Sequence, residues 1–277
     1  MSTDPLLSQA LRQWGLRDLP FSDAPGQAPF LTPAWEQALG QLQRTAALRS
    51  LMLLCGDNGV GKSALAAHWI ASLEPKAYLP LAITQASLSA TGLMAVLLHK
   101  LGQPACLYRS RNLACLEKAL HELGRITPVL LLDDSQNYPP GALEEIRLLL
   151  GLNLSRQPPL ALVLLGDTYL QDTLRLQHHR ALYSRIGLCC HLAPLERTQV
   201  EPYLVHGFRQ AGLERSCLAP AAIELLAGAS AGVPRQLNLL ARTAWLEAAL
   251  AGLNTIGPEH VHKALDMVPA ARDRLHP

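Results

Sequence analysis

Leu51-Met52-Leu53-Leu54-Cys55-Gly56-Asp57-Asn58-Gly59-Val60-Gly61-Lys62-Ser63-Ala64 decides the fold. It opens on a continuous apolar run of strand length, passes through a glycine-rich turn, and enters at Lys62 a stretch with helical spacing that reaches Leu73. Gly56 to Ser63 is a complete G-x-x-x-x-G-K-S set between strand and helix, the context in which that spacing binds phosphate. The glycines let the backbone curl so that successive N–H groups converge on phosphate oxygens, and the positive end of the following helix adds to their field. Lys62 is placed to reach the β- and γ-phosphates of ATP, and the Ser63 hydroxyl to ligate Mg²⁺. The plain alternative is a glycine turn that happens to contain Lys-Ser; the register of strand, loop and helix argues against it. Gly56, Asp57, Asn58, Gly59, Val60, Gly61, Lys62, Ser63 and Ala64 form the candidate nucleotide-binding set.

A second buried strand must then end in an acidic residue. Val129-Leu130-Leu131-Leu132-Asp133-Asp134 supplies it, with Ala77–Ile83 as one further strand between the two motifs. Asp133 fits the Mg²⁺ shell. Asp134 fits a role on the attacking water, as general base or hydrogen-bond acceptor. Read alone, the pair is a solvated turn after a strand.

Further out the alternation continues. Apolar runs at Leu160–Leu165 and Gly187–Leu192 are interleaved with helical patterns at Leu88–Leu101, Asn112–Leu123 and Ala142–Leu152, which predicts an α/β fold with a five-stranded parallel sheet covered on both faces. After Leu195 only helical patterns remain: Glu196–Ala211, Pro220–Ala229, Pro234–Ala251 and Pro258–Val268. In the third, Leu237, Leu240, Ala241, Ala244 and Ala248 form one apolar stripe. The expected organisation is an N-terminal arm over 1–49, broken by Pro20, Pro25, Pro29 and Pro33, an α/β domain over 50–194, a small helical domain over 195–268, and a frayed tail over 269–277.

Composition narrows the function classes. With 49% apolar and 17% charged residues, the chain is not globally disordered. No apolar run approaches the roughly 18–20 residues that span a bilayer. Met1-Ser2-Thr3-Asp4-Pro5 lacks the start of a signal peptide, so a cytoplasmic protein is expected. A formal charge of +2 is too close to neutral to indicate a nucleic-acid partner unless the cations are local. The cysteines at 55, 106, 115, 189, 190 and 217 show no metal spacing; reduced, mostly buried thiols are expected, with Cys189-Cys190 in a buried strand.

The P-loop, the intervening strand, the acidic pair, a further strand ending in Gly166-Asp167 and a helical lid together resemble an AAA+ ATPase. More narrowly they resemble the ExeA/GspA-type ATPases, whose relatives include transposon-encoded ATPases of the TniB, TnsC and MuB kind. The resemblance rests on Trp14-Gly15-Leu16-Arg17-Asp18-Leu19-Pro20-Phe21, the P-loop, Asp133-Asp134-Ser135-Gln136-Asn137, Leu143-Glu144-Glu145-Ile146-Arg147-Leu148-Leu149, Ser184-Arg185-Ile186 and Gly232-Val233-Pro234-Arg235. It implies a sensor-2 role for Arg235 toward the γ-phosphate, through a charge-assisted bond. It also implies an arginine-finger role for Arg185 on a neighbouring subunit's nucleotide, with Arg180 in reserve, and a sensor-1 position for Asp167. An ordinary surface arginine is the plain reading of Arg235.

Two residues depart from the family's pattern. Asp134 replaces the usual Glu and shortens the reach to the water by about one methylene. Asp167 puts a carboxylate where a neutral Gln is common, so repulsion of the phosphates is expected. Together they predict slow hydrolysis, or use of ATP mainly as an assembly switch.

Two basic stretches rise above the neutral average. Lys100 to Arg125 carries five cations, including Arg109 and Arg111 beside Tyr108, against Glu117 and Glu122. That loop suits phosphate contact and base stacking. Arg175, His178, His179, Arg180, Arg185 and His191 lie in a run without carboxylates. A solvated basic face is the plain alternative for both. Three functions follow: an ATP-dependent regulator that oligomerises on duplex DNA and recruits or stimulates a transposase; an ATPase of a secretion or pilus-assembly system; or a nucleotide-gated interaction module with little turnover. Similarity to the short transposon-borne forms favours the first.

Overall fold

The computed structural model describes residues 4–22, 28–85, 87–151, 158–214 and 217–268. The N-terminal stretch contains two regular helices, α1 (Pro5–Trp14) and α2 (Pro33–Leu48). Asp4 starts α1 by accepting the Leu6 N–H at 3.0 Å, and Gly15 ends it in the left-handed conformation. By their contacts the residues fall into two units: one holds Met1–Thr32, Gly59–Gly61 and Ala193–Pro277, the other Pro33–Asn58 and Lys62–Leu192. α1 thus falls in the first unit and α2 in the second.

The sheet unit continues from α2 through β1 (Leu51–Cys55), α3 (Lys62–Ser72), β2 (Tyr78–Ile83), α4 (Ala90–Lys100), α5 (Arg109–Glu122), β3 (Thr127–Leu132), α6 (Pro140–Leu149), β4 (Ala161–Gly166), α7 (Thr168–Arg175), the four-residue α8 (Arg180–Tyr183) and β5 (Ile186–His191). The strands form one parallel sheet in the order β2-β3-β4-β1-β5. Central β1 and β4 are buried at every position, as expected of strands covered on both faces. Pro80 is tolerated inside β2 because that strand is an edge. Leu51, Leu53, Leu130, Leu162 and Leu164 pack on one face with Leu93, Leu97, Ile146 and Leu170.

β5 is the other edge, and this corrects the expectation for the cysteines. Its side chains alternate between half-buried and exposed, leaving Cys189 exposed and Cys190 half-buried. None of the six cysteines forms a disulfide, and only Cys55 and Cys217 are buried. The apolar alternation through Ile186, Leu188 and Leu192 identifies a strand without saying that it has one neighbour. α7 and α8 fill the stretch between the apolar runs Leu160–Leu165 and Gly187–Leu192, where the sequence pattern predicts no element. The expected ends of one helix at Leu152 and of the chain at 269–277 lie outside the described residues.

The helical unit contains α1 together with α9 (Arg197–Gln210), α10 (Pro220–Ser230), α11 (Pro234–Leu250) and α12 (Pro258–Met267). All five stripe residues of α11 are completely buried, and so is Trp245. Trp14 stacks on Phe208 and meets Trp245 edge-on, while Phe21 meets Phe208 edge-on at 4.9 Å. Such pairs add about 0.5–1.5 kcal/mol each beyond area burial. The Trp14–Phe21 stretch is therefore core of this unit.

Candidate nucleotide site

Three adjacent strands deliver their ends to one edge of the sheet. Cys55 of β1 is level with Gly166 of β4, and Leu132 of β3 is level with Leu164 of β4. Gly56, Asp133 and Asp167 follow directly from these three strands. The carboxyl end of a parallel sheet, beside a strand inserted out of sequence order, is where open α/β folds place ligands.

The loop turns at Gly59, with φ +90°, and at Gly61, with φ +101°. Val60 anchors it, buried, while Asp57 and Asn58 are exposed. The Gly59 carbonyl accepts the Arg235 N–H at 3.1 Å, and a Cβ on Gly59 would stand 2.8 Å from the Cβ of Arg235. Lys62 Nζ folds back on its own loop, donating to Gly56 O at 2.8 Å and Asp57 O at 3.0 Å. Burial lowers the Lys62 pKa from the ordinary lysine value; Asp133, Asp134 and Asp167 oppose that shift through their charge. Ser63 and Ala64, in the first turn of α3, are exposed.

On the acidic side, Asp133 donates its N–H to Ile83 O at 3.0 Å and accepts the Asp134 N–H on Oδ1 at 2.9 Å. Asp134 is exposed and sits in the left-handed region, φ 47°, ψ 44°. Among non-glycine residues Asp and Asn tolerate that region best. Its short side chain thus has a backbone reason that the sequence does not reveal. Ser135, fully buried, donates to Leu132 O at 2.9 Å, and Tyr138 donates to Gln85 O at 3.1 Å. Burial lifts the Tyr138 phenol to about 12, with Asp133 and Asp134 adding to the shift. Asp167 caps α7, accepting the Leu170 N–H on Oδ1 at 3.0 Å. One of its carboxylate oxygens therefore serves the helix start.

The structure brings Lys62, Asp133, Asp134 and Asp167 together in the sheet unit. Arg185 lies between α8 and β5 and donates through Nη1 to Arg147 O at 3.4 Å. The stretch around it contains no carboxylate, yet α6 brings Glu144 close: Arg147, His179 and Arg185 all hold the Glu144 carboxyl below its usual range, Arg147 most. Arg180 is exposed. In the helical unit, Arg235 is the second residue of α11, exposed, behind the N-terminal Pro234. Gly232 before it has φ +72°, and a Cβ there would stand 2.1 Å from Leu195 O, so only glycine fits.

Arg109 is engaged away from these groups. Its guanidinium spans both oxygens of the buried Glu145 carboxylate, the closest contact 2.9 Å, and ties α5 to α6. Arg111 lies over the Tyr108 ring, 5.0 Å from its centre. The sequence assigns no role to Gln136, which stands in the Asp133–Asn137 stretch that carries the resemblance, or to Tyr138, which follows it.

The donor set fits Mg²⁺·ATP. An exposed hydroxyl and a carboxylate are hard oxygen ligands, and the two carbonyls now holding Lys62 are contacts that phosphate oxygens can replace.

Residues 45–174 match a family model described as an AAA domain. General secretion pathway protein A of Aeromonas hydrophila is 34% identical over 145 residues, 52% of this chain and 26% of that protein. The match thus spans about a quarter of that relative's length. Among solved structures, Cdc6p of Pyrobaculum aerophilum is similar with a TM-score of 0.73 and 22% identity, over 90% of this chain and 70% of that one. The Aeropyrum pernix ORC1 protein in complex with DNA follows with 0.67 and 20%, over 88% and 67%. The Thermotoga maritima RuvB branch migration motor gives 0.54 and 20%, over 84% and 68%. The fold is the P-loop AAA+ α/β fold, and the matched stretches are similar to an AAA domain and to part of General secretion pathway protein A. Among the described residues no helix is long and apolar enough to cross a membrane.

Proposed function

We propose that the chain is an ATP-binding and ATP-hydrolysing AAA+ switch, with residues 50–194 as its ATPase domain and 195–268 as its lid. The observation that carries this reading is the convergence of Asp133, Asp134 and Asp167 on Lys62 at the end of β1. In it, the Gly56–Ala64 backbone binds the phosphates, and Lys62 leaves its two carbonyls for the β- and γ-phosphates. Ser63 and Asp133 would hold Mg²⁺, which when bound would supply charge neutralisation at the phosphate oxygens. Asp134 orients the water and accepts its proton. Arg235 reports the γ-phosphate, and Arg185 acts on a neighbouring copy's nucleotide.

ATP-dependent assembly on duplex DNA and recruitment or stimulation of a transposase, in the cytoplasm, is the fuller proposal. Its support is the resemblance to the transposon-borne ATPases and the likeness in fold to an ORC1 solved with DNA. Arg111 with Tyr108 offers a cation and a ring to DNA; Arg109 would first have to leave Glu145. The match to General secretion pathway protein A favours a second reading, an ATPase of a secretion system. Phosphate release with and without duplex DNA, with DNA binding measured in an ATP analogue and in ADP, tests both. Turnover and analogue-dependent, salt-sensitive DNA binding are expected. Turnover without any DNA binding moves the assignment to the second reading, and binding of ATP without turnover leaves only a nucleotide-gated module.

A further inference from the structure

We infer that Gln136 is the positioning residue of the hydrolytic site, clamping the Asp134 carboxylate to the backbone at the start of α7; the inference rests on the hydrolytic reading above. Gln136 stands in a single 3-10 turn, Ser135–Asn137, directly after the acidic pair. Its side-chain nitrogen donates to Asp134 Oδ1 at 3.4 Å, and its side-chain oxygen accepts the Asp167 N–H at 3.3 Å. The chemistry of the partners fixes which way the amide points. An ionised carboxylate only accepts and a backbone N–H only donates, so only this orientation satisfies both.

The far end of the clamp is firm. Gly166, just before Asp167, is held in register with Cys55 of β1. Asp167 Oδ1 takes the Leu170 N–H, fixing the turn into α7. A second observation shows that the fold makes room for the amide. A Cβ on Gly166 would lie 3.0 Å from Gln136 Oε1 and 2.4 Å from Leu170 Cδ2, so a larger residue there collides with Leu170 and also crowds the Gln136 amide.

The near end needs such a clamp. Asp134 is exposed, on a left-handed residue, and carries a short side chain with two free torsions. A carboxylate that must meet a water within about 2.6–3.2 Å loses rate steeply when misplaced, around a hundredfold per ångström. Gln136 restricts it from outside the substrate site by linking the ends of β3 and β4. Gln136 itself performs no proton transfer.

The test uses the full chain with Gln136→Leu, which removes both contacts, and Gln136→Glu, which can still accept the Asp167 N–H but faces Asp134 with like charge. Steady-state hydrolysis, fluorescent-ATP affinity and melting temperature are measured for each. Both variants should lose roughly 10–100-fold in kcat, with KM and nucleotide affinity within about twofold, because the contact positions the water and not the nucleotide. Combined with Asp134→Asn, Gln136→Leu should cause little additional loss, since the group it positions is already gone. Variants that turn over at the parent rate, or a Gln136→Leu loss that persists undiminished beside Asp134→Asn, overturn the inference. A parent chain with no turnover at all fails differently: it removes the hydrolytic reading and the inference with it.

Discussion

Arg185 donates through Nη1 to the carbonyl of Arg147, at 3.4 Å, near the end of α6. A helix C-terminus carries unsatisfied carbonyls and partial negative charge, so an exposed guanidinium rests there at little cost. In the proposed assembly Arg185 leaves this carbonyl for a neighbouring copy's phosphates. Arg185→Ala should leave nucleotide affinity of the dilute chain within about twofold while reducing turnover of the assembled form by about a thousandfold, the lower end of what such arginines contribute. Calorimetry and phosphate release at high protein concentration check this. Equal turnover in parent and variant removes the finger assignment.

Lys62 offers the nucleotide a charge that the apo loop holds on Gly56 O and Asp57 O. Lys62→Ala should remove most ATP affinity, and unchanged binding by calorimetry would sink the assignment. A pH dependence accompanies it. The folded pKa of Lys62 lies below 10.5, chiefly from burial. Between that lowered value and 10.5 the unfolded chain binds more protons, so this group's contribution to apo stability rises with pH in that window. ATP affinity should fall across the same window, because the neutral amine no longer attracts phosphate. The parent should lose affinity as the pH is raised toward 10.5, with Lys62→Arg much less sensitive.

The thiols divide by burial rather than by sequence. Cys55, just before the loop, is pushed up to about 12, mainly by burial, and should resist alkylation in the native chain. Cys189 is exposed, although partial burial also raises its thiol. Iodoacetamide followed by mass spectrometry should label Cys106 and Cys189 well before Cys55 and Cys217. Early labelling of Cys55 would show that the strand end opens in solution.

The glycines offer a stability comparison. Gly232→Ala meets Leu195 O at 2.1 Å in a left-handed backbone, where a backbone atom cannot yield, and should cost about 2 kcal/mol or more. Gly228→Ala in α10 meets nothing within 4 Å and should stabilise by about 0.5–1 kcal/mol. Thermal melts of the two variants should move in opposite directions.

These residues also show what a one-dimensional reading can reach. Strand β1, the P-loop and the strand before Asp133 are legible because each combines a periodic pattern with a motif. The stripe on α11 is legible because its spacing alone defines a face. α7 is not, because eight residues with a polar start and Asp167 as cap look like a turn after β4. Which strand becomes an edge, and hence the exposure of Cys189, depends on strand order. The partner of Arg109 is Glu145, thirty-six positions away on another helix, and no local pattern announces it. The neutral Gln136 acquires meaning only when β3 and β4 bring Asp134 and Asp167 to its two ends.

Asp134 is where the two levels of reading give opposite advice. From the sequence, Asp is one methylene short of Glu, so Asp134→Glu should raise turnover by restoring reach. In the structure the residue is left-handed, φ 47°, ψ 44°, and its carboxylate is within hydrogen-bond distance of Gln136. A longer side chain tolerates that backbone less well, at a cost of about 1 kcal/mol, and would push its carboxylate past the Gln136 amide. We therefore expect Asp134→Glu to lower the melting temperature and to leave turnover at or below that of the parent. Asp134→Asn keeps the length and suits the left-handed backbone, so its melting temperature should match the parent's. It lacks a carboxylate to accept the water's proton, and its turnover should fall about a hundredfold or more while ATP binding persists through Lys62, Ser63 and Asp133. Hydrolysis by Asp134→Asn at the parent rate would show that another group activates the water. A Glu variant that is both as stable and faster would show that reach, and not backbone conformation, limits this site.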